Sequence, residues 1–212
     1  MKKIVIHLVI LSLFSGCSML RSNVPEQPEK YTFQCVYLTL PAPLFKKYTQ
    51  ETTPAFKDSA QTQYTNLNIN ALLKNPQVER SDFPILYASI GTSATNKQTK
   101  EVSIRDRFRV ENKTIVYSKK KVEVGKELWI QLIQATGDTV SYRVQTKALK
   151  IGGFRGVEAG NNLIATLPYL DKQFINTKVT QKLHTWLCIT QNPIKPTKNR
   201  TFICIRTLAP SL

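Results

Sequence analysis

The feature of the sequence that most constrains its fold is a regular alternation of apolar and polar residues in the second half of the chain. Leu128–Leu132 places an aliphatic residue at every second position, and Val140–Val144 repeats the pattern. A period of two is typical of β-strands that bury one face. The segment between them, Thr136–Thr139, contains Gly137, and glycine readily adopts the positive φ of a tight turn. The two runs therefore predict an antiparallel β-hairpin.

The first part of the domain adds a strand and two short helices. Tyr31–Leu40 alternates in the same way and predicts a strand with Phe33 and Tyr37 on one face. Pro43–Tyr48 and Leu67–Lys74 carry apolar residues at helical spacing. Together these patterns predict a mainly β (β-rich α+β) fold. We expect antiparallel strands and hairpins in a sandwich-like domain, with one or two short helices near the N-terminus.

Four further segments give local predictions. Gly91–Lys100 is rich in Thr, Ser, Asn and Lys and is typical of a turn, and Lys119–Lys121 is typical of a solvated turn between strands. Gly152–Gly160 holds four of the eight glycines and predicts a flexible excursion. It lacks the Gly-Lys-Ser/Thr ending of a phosphate-binding loop. Val179–Ile189 predicts one longer strand.

The first sixteen residues have the composition of a targeting segment. Lys2 and Lys3 precede the apolar run Ile4–Phe14, and the small residues Ser15 and Gly16 follow it. The run is much shorter than the roughly 20 residues that a membrane-spanning helix needs. Residues 1–16 are therefore predicted to be a signal peptide and not part of the fold.

Leu13–Cys17 resembles the lipobox of bacterial lipoproteins. The resemblance implies that the chain is cleaved before Cys17 and that the Cys17 sulfur carries a diacylglycerol. Ser18, in place of the aspartate of inner-membrane lipoproteins, favours the outer membrane. An ordinary signal peptide with a chance cysteine, and an uncleaved anchor, are the alternatives.

The lipobox interpretation fixes the domain organisation and the location. Residues 17–30 are polar and contain two prolines, which predicts an extended, lipidated tether. Residues 31–212 are predicted to form a single β-rich domain. This domain would be lipid-anchored at the outer membrane and would face the periplasm or the cell surface.

The charge balance limits the partners. The chain carries 30 Lys and Arg against 14 Asp and Glu, a net charge of +16 to which Lys2 and Lys3 contribute two. A basic surface often binds nucleic acid. An exported lipoprotein is not expected to meet nucleic acid, so anionic headgroups, lipopolysaccharide or an acidic partner are the predicted ligands.

Three cysteines remain for the folded domain, namely Cys35, Cys188 and Cys204. An oxidising compartment allows a disulfide. Cys188 and Cys204 lie in two strand-like segments, and a symmetric hairpin would place them directly opposite each other. We therefore predict a Cys188–Cys204 disulfide, with Cys35 as a buried small residue. The cysteine spacings match no zinc pattern, so neither a metal nor another cofactor is predicted.

Little in the sequence indicates catalysis. His184 is the one histidine after the signal segment, and its position next to Trp186 is more typical of a surface residue than of a general base. Carboxylates are few and dispersed, and no nucleophile elbow is present. The sequence predicts no catalytic residue and a protein that is not an enzyme.

The order of segments in the domain resembles the C-terminal domain of the secretins of type II/III secretion and type IV pilus systems. The resemblance is carried by loose apolar patterns, each with few fixed residues, in Pro84–Thr92 with Asn96–Gln98, Val124–Leu132, Asp138–Val144, Thr177–Ile189 and Phe202–Arg206. It implies a structural or accessory component of a secretion- or pilus-type envelope assembly, with homo-oligomers or envelope proteins as partners. The alternative is a β-sandwich lipoprotein that binds an acidic ligand, a glycan or a protein.

Overall fold

The computed structural model describes residues 28–50, 52–58, 60–160, 162–192 and 199–210. The predicted signal peptide, Cys17 and the tether up to residue 27 lie outside these ranges. The described residues form two antiparallel sheets and two short helices, so the mainly β prediction is confirmed.

The strands divide between a smaller, covered sheet and a sheet of very long strands. The bounds in chain order are β1 Tyr31–Pro41, α1 Ala42–Gln50, β2 Phe56–Lys57, β3 Gln61–Tyr64, α2 Ile69–Lys74, β4 Glu79–Asp82, β5 Leu86–Ala88, β6 Ser93–Glu111, β7 Thr114–Thr136, β8 Thr139–Gly160, β9 Leu163–Lys182, β10 Trp186–Gln191 and β11 Asn199–Leu208. The first sheet has the order β2-β3-β10-β11-β1-β4, with β5 also paired to β1. The second has the order β6-β7-β8-β9.

Strand β1 is central because both of its faces are buried. Phe33 and Tyr37 face the second sheet, where Phe33 meets Tyr142 edge-to-face with ring centroids 5.3 Å apart. The Tyr37 hydroxyl is hydrogen-bonded to that of Thr146 on β8. Val36, Leu38 and Leu40 point the other way. The alternation in Tyr31–Leu40 therefore has the two faces that the sequence predicts.

The second face of the first sheet is covered by the helices. Leu72 of α2 is fully buried there, and Leu44 and Phe45 of α1 pack against the same cluster. The Phe45 ring stacks on Phe202 of β11 at 5.0 Å. The Asn68 side chain accepts a hydrogen bond from the Ala71 N–H and caps α2. The domain is thus layered as helices, first sheet and second sheet.

The second sheet is covered along only part of its length. The side chains that it contributes to the main core cluster belong to the β7–β8 hairpin and to the end of β9, and they are Leu128, Ile130, Leu132, Val140, Tyr142, Val144, Ile175 and Val179. The hairpin turn falls at Gly137, as predicted, with φ of +58°. The remaining halves of the four strands extend beyond this cluster, where Ile104, Val124 and Ala165 are also buried.

Three predictions of turns or excursions are wrong, because the segments lie in long strands. Strand β6 starts at Ser93, inside the predicted turn Gly91–Lys100. The lysine triplet Lys119–Lys121 lies in the middle of β7, and Gly152–Gly160 is the last part of β8. These stretches are mostly exposed on both faces, so no apolar alternation marks them as strands.

The predicted single strand Val179–Ile189 is interrupted. Strand β9 ends at Lys182 and β10 starts at Trp186, so the chain passes from one sheet to the other. His184 lies in this turn with φ of +62°, and its N–H donates to the Thr207 carbonyl at 2.7 Å. A residue in the left-handed region reverses the chain direction, which a continuous strand does not allow.

Candidate functional site

The second sheet divides into two ribbons where it leaves the core. Strands β7 and β8 pair from Thr136↔Thr139 only as far as Gly125↔Leu149. Beyond that point β6 still pairs with β7, and β8 still pairs with β9. We call residues 100–124 the first ribbon and residues 150–172 the second ribbon. Each ribbon is a two-stranded hairpin that projects beyond the sandwich.

Gly125 lies at the branch point, and its conformation allows strand β7 to bend there. Its φ is +138°, a conformation that side chains strongly disfavour. A Cβ at this position would lie 2.7 Å from the Cα of Thr99 and still closer to the Gln98 carbonyl oxygen. Strand β6 thus approaches the backbone of β7 more closely than any residue except glycine permits. Glycine kinks of this kind are a common way of bending long sheets.

The glycines of the second ribbon have a packing role. The Tyr169 ring of β9 lies directly over Gly152 and Gly153 of β8, where an added Cβ would meet ring carbons at 2.4 Å and 2.9 Å. Ile164 covers Gly156 in the same way. The glycine-rich segment therefore lacks side chains where β9 side chains pack against its backbone. Its composition reflects this contact rather than flexibility.

The second ribbon and the adjoining part of β9 carry an exposed apolar face. Ile164, Leu170 and Phe174 are an even number of residues apart on β9 and so share a face. Ile151 pairs with Leu170, and Phe154 pairs with the neighbouring Pro168, so both β8 residues lie on that face. Phe154 is 67% exposed and Ile164 is 64% exposed. We call these five residues the apolar face.

The long strands leave two edges of the second sheet open. In the described part of the chain β6 pairs only with β7, and β9 pairs only with β8. Ser93–Glu111 and Leu163–Lys182 therefore each present a row of backbone N–H and C=O groups without a strand partner. Such edges are templates for pairing with another chain.

The first ribbon is strongly basic. Between residues 105 and 121 it has seven cationic and two acidic side chains. The cations are Arg105, Arg107, Arg109, Lys113, Lys119, Lys120 and Lys121. The Arg105 guanidinium lies 4.3 Å from the centre of the Tyr117 ring. The Tyr117 hydroxyl oxygen accepts a hydrogen bond from the Thr166 N–H at 3.0 Å, which joins the two ribbons. The basic surface predicted from composition is thus concentrated at one end of the molecule.

A groove of about 670 Å³ lies where the ribbons diverge from the first sheet. Val102 and Val124 of the first ribbon line it, together with Lys126 and Ala148, which pair with each other at the branch. The first sheet contributes Tyr37, and the Lys126 ammonium lies 4.9 Å from the centre of that ring. The groove therefore combines an apolar lining with a cation.

Lys126 differs from the surface lysines in its surroundings. Burial lowers its pKa, Glu79 acts in the opposite direction, and the nearby charge of Lys150 lowers it further. No carboxylate of the described residues lies within ion-pair distance of its ammonium group. The charge is thus partly desolvated, and it lies beside the Tyr37 ring in a favourable cation–π contact. Sequence patterns gave no sign of this residue.

The structure places Cys188 and Cys204 directly opposite each other on β10 and β11, with Cα atoms 4.1 Å apart and the sulfurs joined. Both are fully buried on the helix-covered face, whereas Cys35 is free and buried on the other face. Burial strongly raises the pKa of Cys35, which disfavours its reactive thiolate.

The disulfide itself is a prediction that reduction can test. A cross-link with a sequence separation of 16 is expected to stabilise the domain by about 3 kcal/mol. The double variant Cys188→Ala/Cys204→Ala should lower the urea midpoint accordingly, and reductant should not change it further. An unreduced protein that binds a thiol reagent at all three domain cysteines after unfolding would contradict the pairing.

Other sequence-predicted features lie apart from the ribbons or outside the description. His184 lies in the β9–β10 turn next to Arg206, whose Nε donates to the His184 carbonyl at 3.1 Å. Among the described residues no three His, Cys, Asp or Glu side chains are grouped so that they could hold a metal ion. Cys17, the predicted lipidation residue, is not among the described residues.

None of the helices in the described ranges has both the length and the apolar composition needed to cross a bilayer.

No family model matches the chain, and no curated protein matches it in sequence. Among solved structures it resembles the secretin domain of InvG from the Salmonella SPI-1 injectisome, described there as a β-barrel. That alignment has a TM-score of 0.44 and 9% identity over 97% of this chain and 68% of the other. It also resembles the type IV competence pilus secretin PilQ of V. cholerae, with a TM-score of 0.41 and 10% identity over 96% of this chain and 64% of the other. These likenesses are distant, and the proposals below depend on the chain's own geometry.

Proposed function

We propose that the protein is a non-enzymatic structural component of an envelope assembly, in which the open edges of its second sheet pair with neighbouring subunits. The observation that carries the proposal is the pair of long strands that lack a strand partner on their outer edge in the described part of the chain, β6 with 19 residues and β9 with 20. The sequence resemblance to secretins suggests a secretion- or pilus-type system as the setting.

The exposed edges are unusual for a protein that works alone. Single-chain proteins protect long sheet edges with short strands, bulges, prolines or a covering loop. Strand β6 has one register shift between Arg105 and Arg107, and Pro168 is the single proline of β9. In β9 the Thr166 N–H donates to the Tyr117 hydroxyl and the Phe174 N–H to the Gln191 side-chain oxygen, but among the described residues neither strand has a backbone ladder on its outer edge. A neighbouring subunit would complete the backbone hydrogen bonds that a lone chain leaves to water.

The apolar face supports the same proposal. Phe154, Ile164 and Phe174 each remain about half exposed or more, although burial of such a side chain stabilises by about 1.5–3 kcal/mol. Large exposed apolar patches commonly mark interaction surfaces. A contact along β9 would cover this face and the open edge together.

The proposed location depends on Cys17. A diacylglycerol-modified cysteine with a further acyl chain would hold the tether on the membrane, since each buried CH₂ group contributes about 0.8 kcal/mol. Labelled palmitate should be incorporated into the full-length chain, and Cys17→Ala should lose all of the label. Equal labelling of Cys17→Ala and the parent chain would show that Cys17 is not the lipidation site.

The size of the extracted protein tests the assembly. The full-length chain should leave the membrane in mild detergent as a multimer that resists dissociation by unheated dodecyl sulfate. Mass photometry of the same sample would give the copy number. A monomer at all concentrations would contradict the proposal and favour the alternative, a lipoprotein that binds its ligand as a single subunit.

A further inference from the structure

The groove at the branch point has the composition of a ligand site, and its lining includes residues of the edge strands β6 and β9. Its volume of about 670 Å³ falls within the range of about 300–1,000 Å³ that is usual for small-ligand pockets. Branched and small aliphatic side chains from β6, β7 and β8 form its apolar part, namely Val102, Val124 and Ala148.

The polar part of the groove is asymmetric. Three lysines line it, Lys100, Lys126 and Lys150, against the two carboxylates Glu79 and Asp171. Asp171 lies 3.7 Å from the Lys150 ammonium and so is already paired. Among the described residues Lys100 and Lys126 have no carboxylate within 4.0 Å. The groove therefore has a net positive charge and a cation without a direct counter-ion.

Hydroxyl groups also line the groove. Thr39 of β1 and Thr201 of β11 line the groove, and their side-chain oxygens are 3.3 Å apart. The Gln173 amide nitrogen lies 3.4 Å from the Thr201 hydroxyl oxygen, which accepts its hydrogen bond. These groups can donate hydrogen bonds to an anionic oxygen held by Lys126. A charged hydrogen bond of this kind is stronger than a neutral one.

We propose that this groove binds a single-chain anionic amphiphile, with its phosphate or carboxylate group at Lys126 and its hydrocarbon chain along Val102, Val124 and Ala148. The anion supplies the missing counter-ion of a partly desolvated ammonium group. The hydrocarbon chain covers apolar surface of Val102 and Ala148 that the fold leaves partly exposed to water, above the buried Val124. An inorganic anion would satisfy only the first requirement, and an uncharged lipid only the second.

Four ligands test the contributions of the anionic group and of the hydrocarbon chain to binding separately. The full-length chain in nanodiscs of zwitterionic lipid is titrated by calorimetry with octyl phosphate, octanoate, octanol or inorganic phosphate, and empty nanodiscs serve as the blank. Octyl phosphate and octanoate should bind saturably with one site per chain. Octanol and inorganic phosphate should each bind at least tenfold more weakly. Equal affinity for octanol and octyl phosphate, or for inorganic and octyl phosphate, would overturn the proposal.

A matched pair of variants locates the site. Lys126→Met keeps the length of the side chain but removes its charge, and Lys119→Met makes the same change at an exposed position of the same strand. Lys126→Met should weaken octyl phosphate binding at least tenfold, whereas Lys119→Met should leave it within twofold of the parent. Unchanged affinity in Lys126→Met, or an equal loss in both variants, would show that any binding follows the overall positive charge.

Discussion

Replacing Gly125 by alanine is expected to destabilise the domain by at least about 3 kcal/mol. The new Cβ would overlap the backbone of Gln98 and Thr99 on β6, and backbone atoms cannot move aside as a flexible side chain can. The φ of +138° adds strain of its own. Since whole domains are stable by only about 5–15 kcal/mol, the urea midpoint should fall sharply.

Gly137→Ala is the matched control for this prediction. Gly137 also has positive φ, at +58°, but a Cβ there would meet no atom within 4 Å. This variant should lose only the conformational term, about 1–2 kcal/mol. Equal losses of unfolding free energy in Gly125→Ala and Gly137→Ala would contradict the close approach of β6 and β7 at the branch point.

The double substitution Ile164→Lys/Phe174→Lys is expected to disperse the assembly while leaving the single chain folded. Both side chains lie on the apolar face of the edge strand β9, and they are 64% and 49% exposed. Removing them should cost the lone chain little stability. If a neighbour covers their exposed parts, the variant loses about 2–3 kcal/mol of burial per interface, and lysine also disfavours edge pairing. The dissociation constant should rise at least hundredfold, which corresponds to about 2.8 kcal/mol.

Ile85→Lys/Tyr87→Lys adds the same charge at two exposed apolar positions, Ile85 just before β5 and Tyr87 within it, which are 49% and 58% exposed. This control should keep the multimer, because neither residue lies on the ribbons. Mass photometry gives the assembly state of each variant, and thermal unfolding of dispersed chains checks the fold. Multimers of equal stability in both double variants would place the interface elsewhere.

The alternation of apolar and polar residues predicted the strands that have one face buried in the core. Tyr31–Leu40 and the hairpin built from Leu128–Leu132 and Val140–Val144 have apolar residues at every second position because the other sheet covers that face. The register that places Cys188 opposite Cys204 was also accessible, since a symmetric hairpin fixes which residues are opposite.

The ribbons could not be predicted in the same way. Lys119–Lys121 is a strand with solvent on both faces, so hydrogen bonding to β6 and not burial determines its conformation. The composition of Gly152–Gly160 predicts flexibility because glycine is a common turn residue. Its glycines instead make room for the Tyr169 ring of another strand. Local sequence does not contain that contact.

The candidate sites depend on a single branch point. Gly125 is one glycine in a strand, and its positive φ is a property of the folded chain. The sequence does not distinguish Lys126 from the other lysines, because its contact with Tyr37 of β1 forms only in the folded chain. Both the open edges and the groove follow from how the four long strands leave the core, which sequence periodicity does not encode.

Hydrogen–deuterium exchange of the detergent-extracted full-length particle, compared with the dispersed Ile164→Lys/Phe174→Lys chain, tests edge pairing most directly. We predict slower exchange in the particle for peptides from β6 and β9, because neighbouring subunits would then supply hydrogen-bond partners. Peptides from β1, whose ladders are complete within one chain, should exchange equally in both samples. A multimer in which β6 and β9 exchange as fast as in the dispersed chain would contradict assembly through these edges.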